Sequence, residues 1–110
     1  MAVVLTREFR ETVLARAQRD TRFRRALLAE AINELLAGDL TAGKALLRDY
    51  INATLGFERL GSEVGRPPKS LQRMLGPSGN PTAENLIAIL KALQAHEEVT
   101  ITVRLGRDAA

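Results

Sequence analysis

The chain has 110 residues with a formal net charge of +3; 45% of them are hydrophobic, 4% are aromatic, and none is cysteine or tryptophan. This length allows one modest core, and Leu, Ala, Ile and Val must build it, a composition that favours packed helices. Without cysteine, disulfides and thiolate metal sites are excluded, and the single histidine, His96, cannot hold a metal ion alone. We therefore predict no metal and no cofactor.

No apolar run approaches the roughly 20 residues that span a bilayer, and the first residues lack the features of a signal peptide. We expect a cytoplasmic protein without a membrane partner. Positive charge is concentrated in residues 1–25, which have seven Arg and three acids, and in residues 57–82. Either segment could face a polyanion such as nucleic acid, and the alternative is that both are solvated helix faces.

The first 38 residues have the three- and four-residue apolar spacing of two helices. The first is predicted from Thr6 to near Arg19. The second starts at a cap, either Asp20 or Thr21, and ends at Gly38. Together they form a predicted N-terminal helical extension. Its apolar residues are expected to cover the rest of the bundle or a dimer partner, and the alternative is that this region docks another protein; these residues are Phe9, Leu27, Leu28 and Ile32.

The stretch "GDLTAGKA", residues 38–45, has the spacing of a phosphate-binding P-loop up to its last position. A P-loop follows a buried strand and places Ser or Thr after its lysine. Here a helix precedes Gly38, and Ala45 follows Lys44. The stretch is therefore predicted to be a helix-to-helix turn, with Asp39 or Thr41 as the cap of a third helix.

Residues 39–96 are predicted to form a second unit. The third helix ends at Gly56, and two short helices, 57–64 and 68–75, are separated only by "GRP". The turn formers "GPSGNP" at 76–81 lead to a cap at Thr82 and a last helix that ends near His96. Its inward residues are predicted to be Leu86, Ile87, Ile89, Leu90 and Leu93.

In the last segment, residues 97–110, the spacing of apolar residues changes from the helical three and four to two. Apolar and polar residues alternate from 98 to 105, which predicts a half-buried β-strand. The chain offers it no second strand, so we expect it to pair with another chain, most simply with its symmetry mate in a homodimer. The predicted dimerisation residues are Val99, Ile101, Val103 and Leu105.

The segment "GFERLGSEVGRPPKSLQRML", residues 56–75, has the spacing of a helix-turn-helix. Gly61 allows close approach of the two helices, Gly65 supplies a left-handed turn, and Leu71 packs between them. The second helix can then present its outer face to a major groove. The alternative is an ordinary helical hairpin with a solvated basic face.

Several side chains at the start of this second helix are predicted to be exposed. Lys69 and Arg73 lie one turn apart and can donate to guanine or to phosphate, while Gln72 can pair with adenine. Arg59 and Arg66 are predicted to contact phosphates. The exposed set is Pro67, Pro68, Lys69, Ser70, Gln72 and Arg73.

The motif "KSLQRML" followed by "GNPTAENL" resembles the helix-turn-helix domain of Xre-type regulators, and residues 40–95 are similar to the HigA-like antitoxins of bacterial addiction modules. The resemblance implies a lambda-repressor-like helical bundle. It also implies a homodimeric repressor that binds a double-stranded operator palindrome and, in the antitoxin case, holds a small ribonuclease toxin inactive. The DNA contacts it implies are Lys69, Ser70, Arg73 and Asn80.

Two other classes of function stay open. A solitary Xre-type regulator without a toxin, or a protein-binding helical module, would use the same bundle. A pure binding module would not need the cluster of Lys69, Gln72 and Arg73. An enzyme is not expected, because the chain lacks a pair of carboxylates, a cysteine and a second histidine placed to converge on a substrate.

Overall fold

The regular structure of the chain is α-helical. The computed structural model describes residues 7–107, so the expected start of the first helix at Thr6 lies outside the described residues. None of the described helices is long and apolar enough to cross a membrane. In chain order the helices are α1 (Arg7–Arg19), α2 (Thr21–Leu36), α3 (Leu40–Ala53), α4 (Gly56–Val64), α5 (Pro68–Met74) and α6 (Ala83–Glu97).

Three helices begin at side-chain caps: Thr82 was predicted outright, and the structure selects Asp20 over Thr21 and Asp39 over Thr41. The Asp20 carboxylate accepts a hydrogen bond from the Phe23 amide at 3.1 Å and caps α2. The Asp39 carboxylate accepts from the Ala42 amide at 3.0 Å and caps α3. The Thr82 hydroxyl accepts from the Asn85 amide at 3.1 Å and caps α6. Each cap satisfies one of the amides that a helix start leaves without an intrahelical partner.

One hydrophobic core joins α2 to the helices that follow it. Leu28 and Ala31 of α2 are buried in the same cluster as residues of α3, α4, α5 and α6. The prediction that Leu28 and Leu27 cover the bundle is therefore confirmed, whereas Phe9 on α1 is 53% exposed. The other buried members of the core are Leu47, Tyr50, Ile51, Phe57, Leu60, Leu71, Leu75, Ile89 and Leu93.

A buried polar cluster ties the start of α2 to the end of α6. The Glu97 side chain is only 3% exposed and accepts hydrogen bonds from the Arg24 guanidinium at 2.7 and 3.1 Å. The Tyr50 hydroxyl of α3 donates to the same carboxylate, and Arg25 lies 3.4 Å from it. The cluster thus fixes three helices at one point of the core through bonds to one carboxylate.

The predicted strand at 98–105 is absent, and the described residues contain no strand at all. The amides of Val99 and Ile101 instead donate to the backbone carbonyl and the side-chain oxygen of Gln94, at 3.1 and 2.7 Å. A β-ladder needs a second strand, and the described chain supplies none. The apolar residues of this segment are buried only in part. Val99 and Ile101 are half-buried, whereas Val103 and Leu105 are 76% and 93% exposed.

The prediction that Ile87 faces inward is also wrong, since its side chain is 61% exposed. Each residue of a helix is turned by about 100°, so Ile87, two positions before the buried Ile89, lies about 200° around the helix on the opposite side. The inward stripe of α6 passes instead through Ile89 and Leu93, which are fully buried.

Candidate nucleic-acid interface

Two glycines set the sharp corner between α4 and α5. Gly65 has φ +71°, a left-handed backbone conformation that residues other than glycine rarely adopt. A Cβ atom on Gly61 would lie 2.5 Å from the Arg66 carbonyl oxygen and 3.4 Å from two ring atoms of Pro68. The Arg66 amide donates to the Gly61 carbonyl at 3.0 Å. The roles predicted for both glycines, a close approach and a left-handed turn, are confirmed.

The short helix α5 has one buried face and one exposed face. Leu71, and Leu75 directly after the helix, are buried in the core. Lys69, Gln72 and Arg73 are exposed on the other side. Among residues 7–107, no hydrogen bond or ion pair involves the side chains of these three. Their donors are therefore directed to solvent or to a ligand.

A surface groove brings three predicted site residues together. It lies between α5 and the 76–81 loop, and we call it the α5 groove. Ser70 and Arg73 line it from α5, and Asn80 lines it from the loop; its other lining residues are Met74, Ser78 and Gly79. Ser70 is half-buried, whereas Arg73 and Asn80 are exposed at its edges. A guanidinium, a hydroxyl and an amide can there donate to one anionic or polar ligand.

Arg59 and Arg66 are both exposed, but neither lines this groove. The Arg59 Nε lies 3.3 Å from a Glu63 carboxylate oxygen one turn along α4. The Arg66 guanidinium donates to the Asn85 side-chain oxygen at 3.1 Å, at the start of α6. Pro68 is half-buried in the first turn of α5, where its missing amide removes no intrahelical bond.

Two side chains that were not predicted as site residues lie behind the α5 groove. Lys44 of α3 is 7% exposed, and its ammonium donates to the Gly79 carbonyl at 2.6 Å. Arg48, one turn further on, donates to the Leu75 carbonyl. The sequence does indicate that Lys44 is buried, because this residue precedes Leu47 and Ile51 by three and seven positions and so shares their buried helix face.

The site has the chemistry of a binding surface. Within residues 7–107, no three His, Cys, Asp or Glu side chains converge in a way that could hold a metal ion. The polar groups around the α5 groove are donors and amides, without a carboxylate among its lining residues. Such a surface can hold an anion or a base edge.

No protein-family model, curated protein or solved structure matches the chain. A function for it therefore depends on its own residues and their geometry.

Proposed function

We propose that the protein is a sequence-specific DNA-binding repressor in which α4 and α5 form a helix-turn-helix and α5 enters the major groove. The observation that carries the proposal is the outer face of α5. Within the described part of the chain, Lys69, Gln72 and Arg73 project there without side-chain partners, on a helix whose opposite face is locked into the core. A recognition helix needs this division between a fixed inner face and free outer donors.

Each side chain at the interface has a proposed role. Arg73 and Lys69 donate to guanine or to phosphate, and Gln72 pairs with adenine. Ser70 and Asn80 donate to the DNA backbone from the walls of the α5 groove. Arg59 and Arg66 contact phosphates beside it, after exchanging their present partners for the stronger negative charge of the DNA.

The repressor is proposed to act as a homodimer, because two half-sites supply the interface area and specificity that one short helix lacks. Segment 98–105 is proposed to become a strand only on dimerisation, paired with the same segment of a second copy. Val103 and Leu105 carry this part of the proposal, since both are exposed in the single chain at the two-residue spacing of one strand face. Val99 and Ile101 continue that face towards α2.

The resemblance to HigA-like antitoxins adds a second proposed partner, a small ribonuclease toxin that the protein holds inactive. The surface proposed for it is the Arg-rich outer side of α1 and α2, where Arg10, Arg19 and Arg22 are exposed. A solitary regulator would share the DNA interface and lack this partner. Co-expression with the product of a neighbouring reading frame, followed by a test for a stable complex, distinguishes the two.

Selection from a randomised pool of duplex DNA tests the proposed DNA binding. The wild-type protein should enrich a palindrome with half-sites about one helical turn apart. The logarithm of its affinity should fall linearly with log salt, with a slope of roughly 0.9 per neutralised phosphate. Enrichment of no sequence, together with an affinity for DNA that is flat in salt, would instead favour a protein-binding module.

Thr102→Pro tests the dimer separately. Proline removes a ladder donor from the proposed strand, and Thr102 is exposed and outside the helical core. The variant should keep the helical content of the wild type but sediment as a monomer and bind a palindrome more weakly. A fully dimeric Thr102→Pro protein with unchanged operator affinity would show that this segment does not form the dimer.

A further inference from the structure

Lys44 is a buried cation whose one side-chain hydrogen bond, among residues 7–107, is to a backbone carbonyl. Its side chain lies in the core side of α3 with 7% exposure, and its ammonium donates to the Gly79 carbonyl at 2.6 Å. No carboxylate forms an ion pair with it in the described part of the chain. Burying an ammonium is costly unless its hydrogen bonds compensate. An apolar side chain would fill this position at lower cost, so the ammonium must do more than fill space.

The contact lies where the chain turns out of α5. Arg48, one helical turn after Lys44, donates to the Leu75 carbonyl, so two cations of α3 bond to two carbonyls of the same short segment. The C-terminal end of a helix exposes carbonyls and partial negative charge, and cations placed there stabilise it. Lys44 and Arg48 thus hold the last turn of α5 and the loop after it against α3.

Gly79 shows how closely the loop is pressed onto α5. A Cβ atom at this position would overlap the carbonyl oxygens of Arg73 and Met74. The Gly79 amide also donates to the Gly76 carbonyl at 3.0 Å. Backbone of the loop therefore touches backbone of the last turn of α5, and the next residue, Asn80, faces the α5 groove opposite Arg73 and Ser70.

We infer that Lys44 is a positioning residue for the DNA interface: its bond to Gly79 fixes the 76–81 loop so that Asn80 and Arg73 face the same ligand. This inference depends on the proposed function, because it assigns the α5 groove to DNA. Lys44 does not itself touch the ligand. With 7% exposure and its ammonium committed to Gly79, it cannot reach a phosphate at the surface.

Three lysine variants separate positioning from direct contact: Lys44→Met, Lys69→Met and Lys91→Met. The probe is the duplex that the wild-type protein enriches from a randomised pool. Methionine matches the length of lysine without its donor. Lys69 lies on the outer face of α5, and Lys91 is exposed on α6, outside the proposed interface.

Lys44→Met should weaken binding about tenfold, near the lower end of what one base contact provides. A plot of log affinity against log salt should have the same slope for this variant as for the wild type, because no phosphate contact is lost. Lys69→Met should weaken binding and lower the slope by roughly 0.9, and Lys91→Met should change neither. The thermal midpoint of Lys44→Met should stay within a few degrees of the wild type, since the half-buried Gly79 carbonyl can turn to water.

A measurement without DNA checks the same inference. In an amide NMR spectrum, Lys44→Met should shift the resonances of Gly79 and Asn80, while those of the remote α1 stay in place. Gly79→Ala is an independent variant that displaces the loop and leaves Lys44 intact, so it should also weaken binding at an unchanged salt slope.

Two results would overturn the inference. One is a Lys44→Met protein that binds the duplex as tightly as the wild type with the Asn80 resonance unmoved. The other is a Lys44→Met salt slope that falls as it does for Lys69→Met, which would make Lys44 a phosphate contact. Failure of the proposed function would be seen elsewhere, in a wild-type protein that enriches no duplex. If Lys44→Met does not fold, Gly79→Ala carries the test, and binding of the duplex as tight as in the wild type would then overturn the inference.

Discussion

The two cationic regions of the molecule differ in what their side chains contact. At the start of α2, Arg24 and Arg25 are directed at the buried carboxylate of Glu97, and Arg24 makes two hydrogen bonds with it. On α5, Lys69 and Arg73 have no acidic partner among residues 7–107, and the sequence has no acidic residue between Gly65 and Thr82. We call the first, Arg24 and Arg25 with Glu97, the closed region, and the second, Lys69 and Arg73, the open region.

The cations of the closed region stabilise the fold, whereas those of the open region are available to bind a ligand. A guanidinium that is hydrogen-bonded to a buried carboxylate is less available to a phosphate, because its charge and some of its donors are already compensated. A guanidinium on a helix without nearby carboxylates keeps both. The net charge of a segment does not show this distinction, and its partners in three dimensions do.

Glu97→Ala should give the largest effect and tests the closed region. It leaves the Arg24 guanidinium and the Tyr50 hydroxyl in the core without their acceptor. Removing one member of a buried charged pair costs about 3–5 kcal/mol. We expect a loss of this size in the free energy of unfolding, measured by urea denaturation. Glu98→Ala, at the exposed neighbouring position, is the control and should change it little.

Equal stability of Glu97→Ala and Glu98→Ala would mean that the closed region is solvated in solution. The distinction between the two cationic regions would then lose its basis, and the arginines of α2 would have to be counted as candidate ligand contacts.

The local features of the fold were accessible from the sequence, and its long-range contacts were not. Thr82, Gly61 and Gly65 were assigned correctly, and Asp20 and Asp39 were each one of two candidate caps, because caps and left-handed turns depend on residues a few positions apart. The bond between Arg24 and Glu97 joins residues 73 positions apart and leaves no periodic signal.

The same limit explains the error in the C-terminal segment and the missed support of the α5 groove. Alternation at 98–105 specifies a strand only when a partner supplies the ladder, and the described chain supplies none. The exposure of Lys69, Gln72 and Arg73 could be predicted from Leu71 and the two glycines, which fix the inner face of α5, whereas Pro68 and Ser70 were also predicted to be exposed and are half-buried. The support of the α5 groove by Lys44 could not be predicted, because it depends on how α3 crosses the loop.

Arg73→Ala tests the open region and should have the next largest effect. Binding to the enriched duplex should weaken by roughly 1–3 kcal/mol if Arg73 makes a bidentate base contact. The free energy of unfolding should not fall, because the exposed side chain has no partner in the described chain to lose. Arg22→Ala, an exposed arginine on α2, serves as the matched control for binding. Unchanged affinity in Arg73→Ala would remove this residue from base recognition.

The closed region should also make stability depend on acid. Burial raises the pKa of the Glu97 carboxyl, but hydrogen bonds from Arg24 and Tyr50 outweigh burial and leave the pKa below its ordinary value of 4.5. A carboxyl with a lowered pKa stabilises the fold above its unfolded pKa, and this contribution is lost as pH falls through the folded pKa. Wild-type stability should therefore decline as pH falls below about 4.5.

The matched comparison is Glu97→Gln, which cannot titrate at this position and should lose less stability over the same acid range. Some acid sensitivity should remain in both proteins, because a backbone hydrogen bond from Phe23 lowers the pKa of Asp20. Burial raises the pKa of Asp49, which acts with the opposite sign and equally in both. Parallel urea-stability curves against pH would show that Glu97 does not carry the dependence.

Glu63→Gln should have the smallest effect. It tests whether Arg59 belongs with the cations of the closed region or with those of the open region. Arg59 is intermediate between them, since it is exposed but lies 3.3 Å from the Glu63 carboxylate on the same helix. Exposed pairs of this kind contribute about 0.3–0.5 kcal/mol, so the free energy of unfolding should barely change. If Arg59 contacts phosphate, removing the competing negative charge should tighten DNA binding slightly, and most visibly at low salt, where exposed charges are least screened. The control is Glu11→Gln, which releases Arg7 from a similar exposed pair on α1 and should leave affinity unchanged. An equal gain in both variants would instead reflect the overall charge of the protein, and Arg59 would then be a solvated side chain outside the DNA interface.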